Sequence, residues 1–512
     1  MCRNDNRLKK PNASKFLIGN DCGDIDVNRG FLGCRARSGG NRFNLWLVKI
    51  YTVIMDTHFA RLLMAVALLA SFARAAPEEP QTRASESASM VLDVTHRLGP
   101  IRIGKVASLG QGGQSPDPIW AGRAAEIRAL HPRVIRLFLQ EYFDELPSKG
   151  TYNFKSMDKV VDLVSESGSE PMMNICFKPK VLFPKIDPAI VEPNDRAEWD
   201  RLIEAMVRHY KDRGTKITYW EVMNEPDIGE AGGCAAILRA DPDARVGGPA
   251  LANPNSPILP ALLDYCAKHQ TPLHFISWHI YSSNPSAIRD TIVRKHKQLA
   301  EYPALRGVET FLDEWNVSLL QPLRDRQFQP CYVAESIYQM LDAGLDFGCY
   351  YHIRDYHVDQ DNFDRFMTSK GSAAMAKWWN RNHQNSGLFD YENNIRPAYY
   401  SFKLLALLTG DRLKVESSDA HVHGLATHDA RAGIYNLMFW NFSKQPARFE
   451  LHMKGLTGRW KATRIELDSR APNPDEDSRL HMLDPLTMPA GEDAAIPVSL
   501  EPYGIDFWMI ER

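Results

Sequence analysis

Between residues 104 and 352 the chain alternates short apolar, β-rich runs with longer segments whose apolar residues recur every three or four positions. The short runs predict buried parallel strands, and the longer segments predict amphipathic helices. The predicted strands are 104–109, 134–138, 171–177, the run from 217 that leads into Glu225, 245–249, 275–281, 308–316 and 347–352. The predicted helices are 119–130, 157–165, 199–210, 235–240, 259–268, 287–299, 333–343 and a closing helix at 398–408.

Eight strands separated by helices over about 250 residues fit a (β/α)8 TIM barrel, an α/β fold that we place at residues 100–410. The competing architecture is a doubly wound open sheet. That fold would carry a G-x-G-x-x-G phosphate loop after its first strand. Residues 110–113 read Gly-Gln-Gly-Gly and lack this spacing, so they predict only a turn.

The period changes after about residue 410. Short β-type runs at 422–427, 433–442, 447–453, 460–467 and 505–510 are separated by Gly, Pro, Asn and Asp, with no helical pattern between them. This pattern predicts a C-terminal β-sandwich domain at 411–512. Residues 76–99 are expected to form a linker and an N-terminal strand near 90–95, which could pair into the sandwich.

The N-terminal residues resemble a targeting segment. Arg61 precedes the apolar run 62–70, and Ala73 and Ala75 supply the small residues of an A-x-A cleavage site. We therefore expect a signal peptide at about 55–75, a secreted or periplasmic protein, and a non-native or disordered extension at 1–54. The alternative is an N-terminal membrane anchor, but the run is short for a span, so no stable membrane insertion is expected.

The composition limits the classes of molecule that the chain is expected to bind. The chain has 512 residues, 44% hydrophobic and 24% charged, with a formal net charge of -2, which is ordinary for a globular protein. That charge predicts no nucleic-acid partner and no anionic membrane partner. The cysteines beyond residue 75 are too widely spaced for a metal motif, so no metal and no cofactor is expected. Nothing in the sequence indicates an oligomeric state.

In a barrel of this kind the functional residues lie at the carboxyl ends of the strands. The candidates are therefore the polar residues at which the apolar runs stop: Arg136, Asn224, Glu225, His279, Tyr281, Glu314 and His352. Trp315 is added because an indole at the barrel mouth could form a sugar platform, which we favour over the alternative that it caps the barrel.

Two carboxylates at one cleft suit glycoside hydrolysis, in which one acid protonates the leaving oxygen and the other attacks the anomeric carbon. Glu225 ends the fourth predicted strand and Glu314 the seventh, so their side chains could converge. Simpler roles compete, such as a strand-end salt bridge for Glu225. Asp313 competes with Glu314, but on a regular strand it points the other way. Arg136 could be a structural ion pair, and His279 a core histidine.

Residues 220–226, Trp-Glu-Val-Met-Asn-Glu-Pro, and residues 313–316, Asp-Glu-Trp-Asn, resemble the two signatures of clan A retaining glycosidases. The chain is most similar to glycoside hydrolase family 39, with its β-xylosidases and α-L-iduronidases, over most of residues 100–410. The resemblance implies that Glu225 is the general acid/base and Glu314 the nucleophile. It also implies that Asn224 binds the sugar 2-hydroxyl and that Arg136 supports the nucleophile.

The same resemblance matches His279 and Tyr281 to a His-x-Tyr pair beside the nucleophile, whereas Met223 and the loop at 138–140 depart from the family pattern. It implies an exported, β-xylosidase-like retaining glycoside hydrolase that acts on an oligo- or polysaccharide. Two alternatives stay open: a polysaccharide-directed endo-glycosidase of the same clan, and a catalytically silent carbohydrate-binding barrel.

Overall fold

The computed structural model describes residues 88–112, 117–139, 145–176, 178–185, 192–226, 235–318, 327–365, 367–381, 386–469, 480–488 and 495–512. The predicted signal peptide and the extension before it lie outside these residues. Among the described residues, no helix combines the length and the apolar character that a bilayer span needs.

Eight parallel strands close into a barrel in chain order, which confirms the TIM-barrel prediction. They are β2 (Ser108–Gln111), β3 (Val134–Phe138), β4 (Glu170–Ile175), β5 (Tyr219–Val222), β6 (Arg245–Leu251), β7 (Phe275–Tyr281), β8 (Glu309–Asn316) and β9 (Phe347–Tyr351). β1 precedes them at Ala88–Pro100. Glu225 therefore follows the fourth barrel strand, and Glu314 lies on the seventh, as their apolar runs predict.

The helices around the barrel follow the predicted order. They are α1 (Ile103–Val106), α2 (Ala124–Arg128), α3 (Lys155–Glu166), α4 (Arg196–Asp212), α5 (Ala235–Ala240), α6 (Ile258–His269), α7 (Ser286–Ala300), α8 (Phe328–Asp342), α9 (Gln360–Phe363), α10 (Ser369–Arg381) and α11 (Pro397–Ala406). The first strand was predicted too early in the chain, at 104–109. α1 occupies the first half of that range, and β2 continues through Gly110 and Gln111, where a turn was predicted.

Aromatic residues fill the lower end of the barrel. Phe311 stacks on Phe347 with ring centroids 4.4 Å apart, and Phe275 lies 4.4 Å from Phe311 on the other side. Tyr219 contacts all three rings, and its neighbours in this cluster are fully or almost fully buried. These aromatic side chains fill the barrel interior at the amino ends of the strands. We therefore expect a cleft at the carboxyl ends of the strands.

The C-terminal domain is a nine-stranded, mostly antiparallel sheet. One of its strands is β1, which precedes the barrel in the chain. The other eight are β10 (Asp411–Ser417), β11 (Val422–Asp429), β12 (Ile434–Asn441), β13 (Ala447–Lys454), β14 (Lys461–Leu467), β15 (His481–Thr487), β16 (Ala495–Leu500) and β17 (Ile505–Glu511). The sheet curls on itself, because Phe439 of β12 contacts Phe449 of β13 although three strands separate them in the sheet. This closure gives the sandwich-like form that the sequence predicts.

β1, which precedes the barrel, belongs to the C-terminal sheet, where it pairs antiparallel with β10 and parallel with β13. The predicted pairing of the strand near 90–95 into the C-terminal sheet is thus confirmed. The sheet is also bound to the barrel through Glu335 of α8. One oxygen of Glu335 lies 2.8 Å from His423 Nδ1 and accepts a 2.8 Å hydrogen bond from Trp440 Nε1.

One segment extends the barrel beyond the predicted elements. The chain between β9 and α11 carries α9 and α10, and neither helix was predicted. Tyr356 and Trp379 of this segment pack with Phe138 and Tyr351, which come from the ends of β3 and β9. This aromatic cluster lies beside the carboxyl ends of those two strands.

Candidate active site

Glu225 is positioned by an unusual turn after β5. Met223 and Glu225 both have left-handed backbone angles, with φ of 74° and 44°, which residues other than Gly seldom adopt. Backbone hydrogen bonds hold the turn: Met223 N–H donates to Ile175 O at 3.1 Å, and Glu225 N–H donates to Ala250 O at 2.8 Å. Such backbone angles are concentrated at functional sites, where the surrounding structure fixes them.

A β-bulge positions Glu314. Trp278 of β7 pairs with Leu312, but the next residue, His279, pairs with Glu314, so Asp313 is an extra residue in β8. The prediction that Asp313 points away from the site is therefore wrong. Its Oδ2 lies 3.2 Å from Arg136 Nη2, inside the barrel beside Glu314. A regular strand would separate these two neighbours, and the bulge brings both into the site.

Arg136 of β3 lies beneath the two candidate glutamates and is fully buried. Its Nε donates to Glu221 Oε2 at 2.6 Å, its Nη1 to Glu314 Oε1 at 2.8 Å and its Nη2 to Asn224 Oδ1 at 2.8 Å. Burial opposes the charge on Arg136, but the surrounding acids, Glu221 foremost, hold its pKa well above the ordinary value. One permanently charged guanidinium thus connects three strand ends.

His279 connects the two glutamates. Its Nδ1 lies 2.8 Å from Glu225 Oε1, and its Nε2 lies 3.6 Å from Glu314 Oε1 and 3.4 Å from Asp313 Oδ2. Burial opposes protonation, but the negative charges of Glu314 and Asp313 raise the pKa of His279 well above its ordinary value. The imidazole is therefore a cation that donates from Nδ1 to Glu225.

Tyr281 supplies a second donor to Glu314. Its hydroxyl donates to Glu314 Oε2 at 2.6 Å, while Arg136 donates to the other oxygen. Burial and the negative charge of Glu314 raise the pKa of Tyr281 well above its ordinary value, so the phenol remains a donor. Both oxygens of Glu314 are thus held by hydrogen-bond donors.

Glu225 and Glu314 converge as the strand positions predict. One carboxylate oxygen of each, together with a ring nitrogen of His279, lie within 4.8 Å of one another. The two carboxyl groups differ in exposure, since the side chain of Glu225 is 23% exposed and that of Glu314 is 8% exposed. The spacing of the three groups would also suit a metal ion. The expectation that the protein needs no metal stays a prediction.

The prediction that Trp315 forms a sugar platform is wrong. The residue is fully buried and packs against Tyr350 and Phe402, with ring centroids 5.1 and 6.5 Å away. Because Glu314 points into the barrel, the next residue on the strand points outward to the helical layer. Trp278 is likewise buried packing, as its alternation with His279 predicts.

His352 lies in the aromatic cluster rather than among the hydrogen bonds of the two glutamates. Its Nε2 is 2.9 Å from Asp355 Oδ1, and its ring lies 5.5 Å from Tyr356 and 6.0 Å from Trp379. Asp355 in turn pairs with Arg396. His352 is therefore at the rim of the strand ends, in contact with the segment that carries α9 and α10.

Sequence reasoning missed Asn174 of β4. Its Nδ2 donates to Glu221 Oε2 at 2.6 Å and to Met223 O at 2.8 Å, so it supports the turn that carries Glu225. A signal was available, because Asn174 is a polar residue inside the apolar run 171–177. Asp313 is a candidate from the sequence, but its place and that of Glu221 beside Arg136 depend on contacts between strands that the sequence does not specify.

Comparison with known proteins supports this description. The family model for Glycosyl hydrolases family 39 matches residues 135–443, more than half of the chain and both candidate glutamates. A β-xylosidase of Caldicellulosiruptor saccharolyticus is 27% identical over 310 residues, which cover 52% of this chain and 59% of the relative. A β-xylosidase of Geobacillus stearothermophilus is 23% identical over 334 residues, covering 57% and 63%. The matches thus span under two thirds of these relatives.

Solved structures share the fold. A glucosidase from Croceicoccus marinus superposes with a TM-score of 0.62 at 17% identity and covers 84% of this chain and 100% of its own. A monomeric β-xylosidase from Caulobacter crescentus gives 0.61 at 17% identity, covering 83% and 99%. At this level of identity the likeness establishes only the architecture, a barrel with an accessory β domain.

Proposed function

Because this chain belongs to glycosyl hydrolases family 39, we propose that it is a retaining glycosidase with Glu314 as nucleophile and Glu225 as general acid/base. The observation that carries the proposal is the convergence of these two carboxylates, whose nearest oxygens lie within 4.8 Å. Retaining enzymes hold their carboxyl groups about 5–5.5 Å apart, whereas inverting enzymes need about 6.5–9.5 Å for an intervening water.

The different surroundings of the two glutamates support this division of roles. Glu314 accepts from the Arg136 cation and the Tyr281 phenol, which favour an ionised nucleophile. Glu225 is more exposed than Glu314, and its Oε1 accepts from His279. The acid must meet leaving groups of varied size at the open side of the cleft, and the more exposed carboxyl suits that task.

The reaction would follow a double displacement. In the first step an oxygen of Glu314 bonds to the anomeric carbon, the glycosidic carbon–oxygen bond breaks, and Glu225 transfers its proton to the departing oxygen. In the second step Glu225 takes a proton from water, the water oxygen bonds to the anomeric carbon, and Glu314 leaves as a carboxylate. Two inversions leave the anomeric configuration unchanged.

Asn224 is the candidate contact to the sugar 2-hydroxyl. Its Oδ1 accepts from Arg136 Nη2, which orients the amide nitrogen away from the guanidinium. An Asn nitrogen fixed in this way can donate to a hydroxyl next to the anomeric carbon, and such contacts strengthen in the transition state. His279 would act on the substrate only through Glu225 and Glu314, as a positioning residue.

For the substrate we propose a β-xyloside, because the two relatives described above are β-xylosidases. The segment that carries α9 and α10 borders the carboxyl ends of β3 and β9 with aromatic side chains. This border favours an exo-acting enzyme that closes over a chain end, in preference to an open cleft for a polysaccharide. We also propose that residues 55–75 direct export, on the pattern of their sequence.

The test is hydrolysis of aryl β-xylosides and xylo-oligosaccharides by the purified protein, with the anomer of the first-formed product followed by NMR. Retention of configuration supports the proposal, and inversion refutes it. Glu314→Gly should abolish hydrolysis. Glu225→Ala should lower kcat/KM, which reports the first step, by about 10²–10⁴-fold for substrates with poor leaving groups and far less for activated aryl xylosides, because only poor leaving groups need protonation. The second step should be slow with every substrate, because Glu225 is also its base.

A matched control is Glu309→Gln, which changes a glutamate at the opposite end of β8 that is ion-paired with Arg245 at 2.9 Å. It should hydrolyse every substrate at the wild-type rate. Equal losses of kcat/KM with good and poor leaving groups would remove Glu225 from the acid role. A wild type that binds xylo-oligosaccharides but hydrolyses none would favour a silent carbohydrate-binding barrel.

A further inference from the structure

A second pair of acids lies under the two candidate catalytic glutamates. Glu221 of β5 and Asp313 of β8 have fully buried side chains, and each contacts Arg136. Neither is needed to make or break a glycosidic bond in the proposed reaction. Burying an acid is costly unless it is paired or neutral, so the presence of both requires a physical explanation.

The positive charges nearby are too few for all the acids. Glu221, Asp313 and Glu314 all lie within 3.2 Å of a nitrogen of the same guanidinium. In the described part of the site, His279 is the other cation close to these acids, at 3.4 Å from Asp313 and 3.6 Å from Glu314. Three carboxylates would therefore face two cations, even with Glu225 already protonated. One further proton restores neutrality.

Hydrogen bonding indicates where that proton lies. Glu221 Oε2 accepts from both Arg136 and Asn174. Glu221 Oε1 and both oxygens of Asp313 are buried, and none meets strict hydrogen-bond geometry among the described residues. The polar groups nearest to them include each other, the Ser277 hydroxyl beside Glu221 and the His279 ring beside Asp313. A proton on Glu221 Oε1, donated to Asp313, would satisfy oxygens on both residues at once.

The electrostatics agree with this placement. Burial and the nearby Asp313 raise the pKa of Glu221 to about 8, although Arg136 opposes the shift. Burial would raise the pKa of Asp313 as well, but the charges of Arg136 and His279 lower it. The remaining titratable neighbour is Cys349 of β9, whose thiol stays neutral because burial raises its pKa well above the ordinary value.

We propose that Glu221 and Asp313 share one proton, which is carried on Glu221 while Asp313 is charged. The two acids are positioning residues, because together they orient Arg136 toward the nucleophile. With Glu221 neutral, the guanidinium charge is divided between Asp313 and Glu314 instead of among three carboxylates. The catalytic consequence depends on the proposed glycosidase function, but the shared proton does not, so the two can be tested separately.

The direct test is infrared difference spectroscopy of the whole protein at pH 6, where a protonated carboxyl has its own C=O band. Glu221→Gln should remove one such band. Asp313→Asn should remove it too, because Glu221 loses its acidic neighbour and ionises to balance Arg136 and His279. Glu309→Gln is the matched control and should leave the protonated-carboxyl bands unchanged. An unchanged band in either of the first two variants would overturn the proposal.

Stability provides a second readout that does not depend on activity. Glu221 has a folded-state pKa of about 8 against an ordinary value of 4.5. Its contribution to the free energy of unfolding is therefore complete below pH 4.5 and declines as the pH rises toward 8. Denaturant unfolding of wild type should show this decline relative to Glu221→Gln. Parallel curves for the two proteins across that range would refute a protonated Glu221.

The effect on catalysis separates positioning from simple packing. Glu221→Gln preserves a neutral side chain and should lower kcat/KM at pH 6 by less than about tenfold. Asp313→Asn removes a buried partner of two cations and should lower it by about a hundredfold or more. Equal losses of kcat/KM in the two variants would contradict the proposal that Glu221 is neutral and Asp313 is charged. If wild type shows the band but hydrolyses no glycoside, the function fails and the shared proton stands.

Discussion

The hydroxyl of Tyr281 offers the sharpest test of the proposed nucleophile. It donates to Glu314 Oε2 at 2.6 Å, and the other oxygen of Glu314 is bound by Arg136. Tyr281→Phe removes this donor and keeps the ring, which packs beside the aromatic cluster at the carboxyl ends of β3 and β9. The substitution therefore perturbs one hydrogen bond to a charged group with little change in packing.

The two chemical steps should respond differently. In the first step Glu314 loses its charge as it bonds to the sugar, so a lost donor costs little. In the second step Glu314 recovers its charge as it leaves, so the donor stabilises the transition state. A hydrogen bond to a charged group contributes about 1.5–3 kcal/mol. This corresponds to a decrease of about 10- to 150-fold in the second step.

Pre-steady-state kinetics with an activated aryl xyloside would measure this difference. Tyr281→Phe should release a stoichiometric burst of the aryl group, followed by slow turnover, because the glycosyl-enzyme accumulates. Tyr350→Phe is the control: its hydroxyl donates to Ser386 O at 2.7 Å and does not contact Glu314. It should lower stability without a burst.

The reasoning would be refuted by a Tyr281→Phe enzyme whose kcat and kcat/KM fall equally, or whose only change is a higher KM. Either result would mean that Tyr281 does not act on the charge of Glu314. A burst in the control variant would likewise show that the effect is not specific to the nucleophile.

Three further predictions concern the scaffold. Glu335→Ala removes the acceptor for Trp440 and His423, so thermal unfolding should show a loss of about 1–3 kcal/mol while the kcat of the folded protein stays unchanged. Gly247→Ala would place a Cβ 2.3 Å from Phe275 O, so the backbone must shift, and denaturant titration should show a loss of about 1–3 kcal/mol. Asp93 has its pKa lowered to about 2, first by the hydroxyl of its neighbour Thr95. Wild type should therefore exceed Asp93→Asn in stability above pH 4, and the difference should vanish as the pH falls through 2.

The predictable part of the fold is carried by local pattern. Short continuous apolar runs separated by helical runs of period 3.6 located the barrel strands closely, apart from β2, where a single turn of helix precedes the strand. They located β1 and most of the C-terminal strands as well. The pattern missed α9 because four residues are too few to show a helical period. It does mark α10, whose apolar face packs on the rim of the barrel, but the sequence interpretation overlooked that helix.

The sequence by itself determined which residues end the strands, and so it identified Glu225 and Glu314 as partners on the fourth and seventh barrel strands. Only the tertiary structure decided how β8 pairs with β7. A single extra residue at Asp313 brings two successive acids into the site and leaves Trp315 facing the helices. Local sequence cannot specify such a bulge, because its position depends on hydrogen bonds to a strand more than thirty residues away. The same dependence hid the joint contact of Glu221 and Asp313 with one buried arginine.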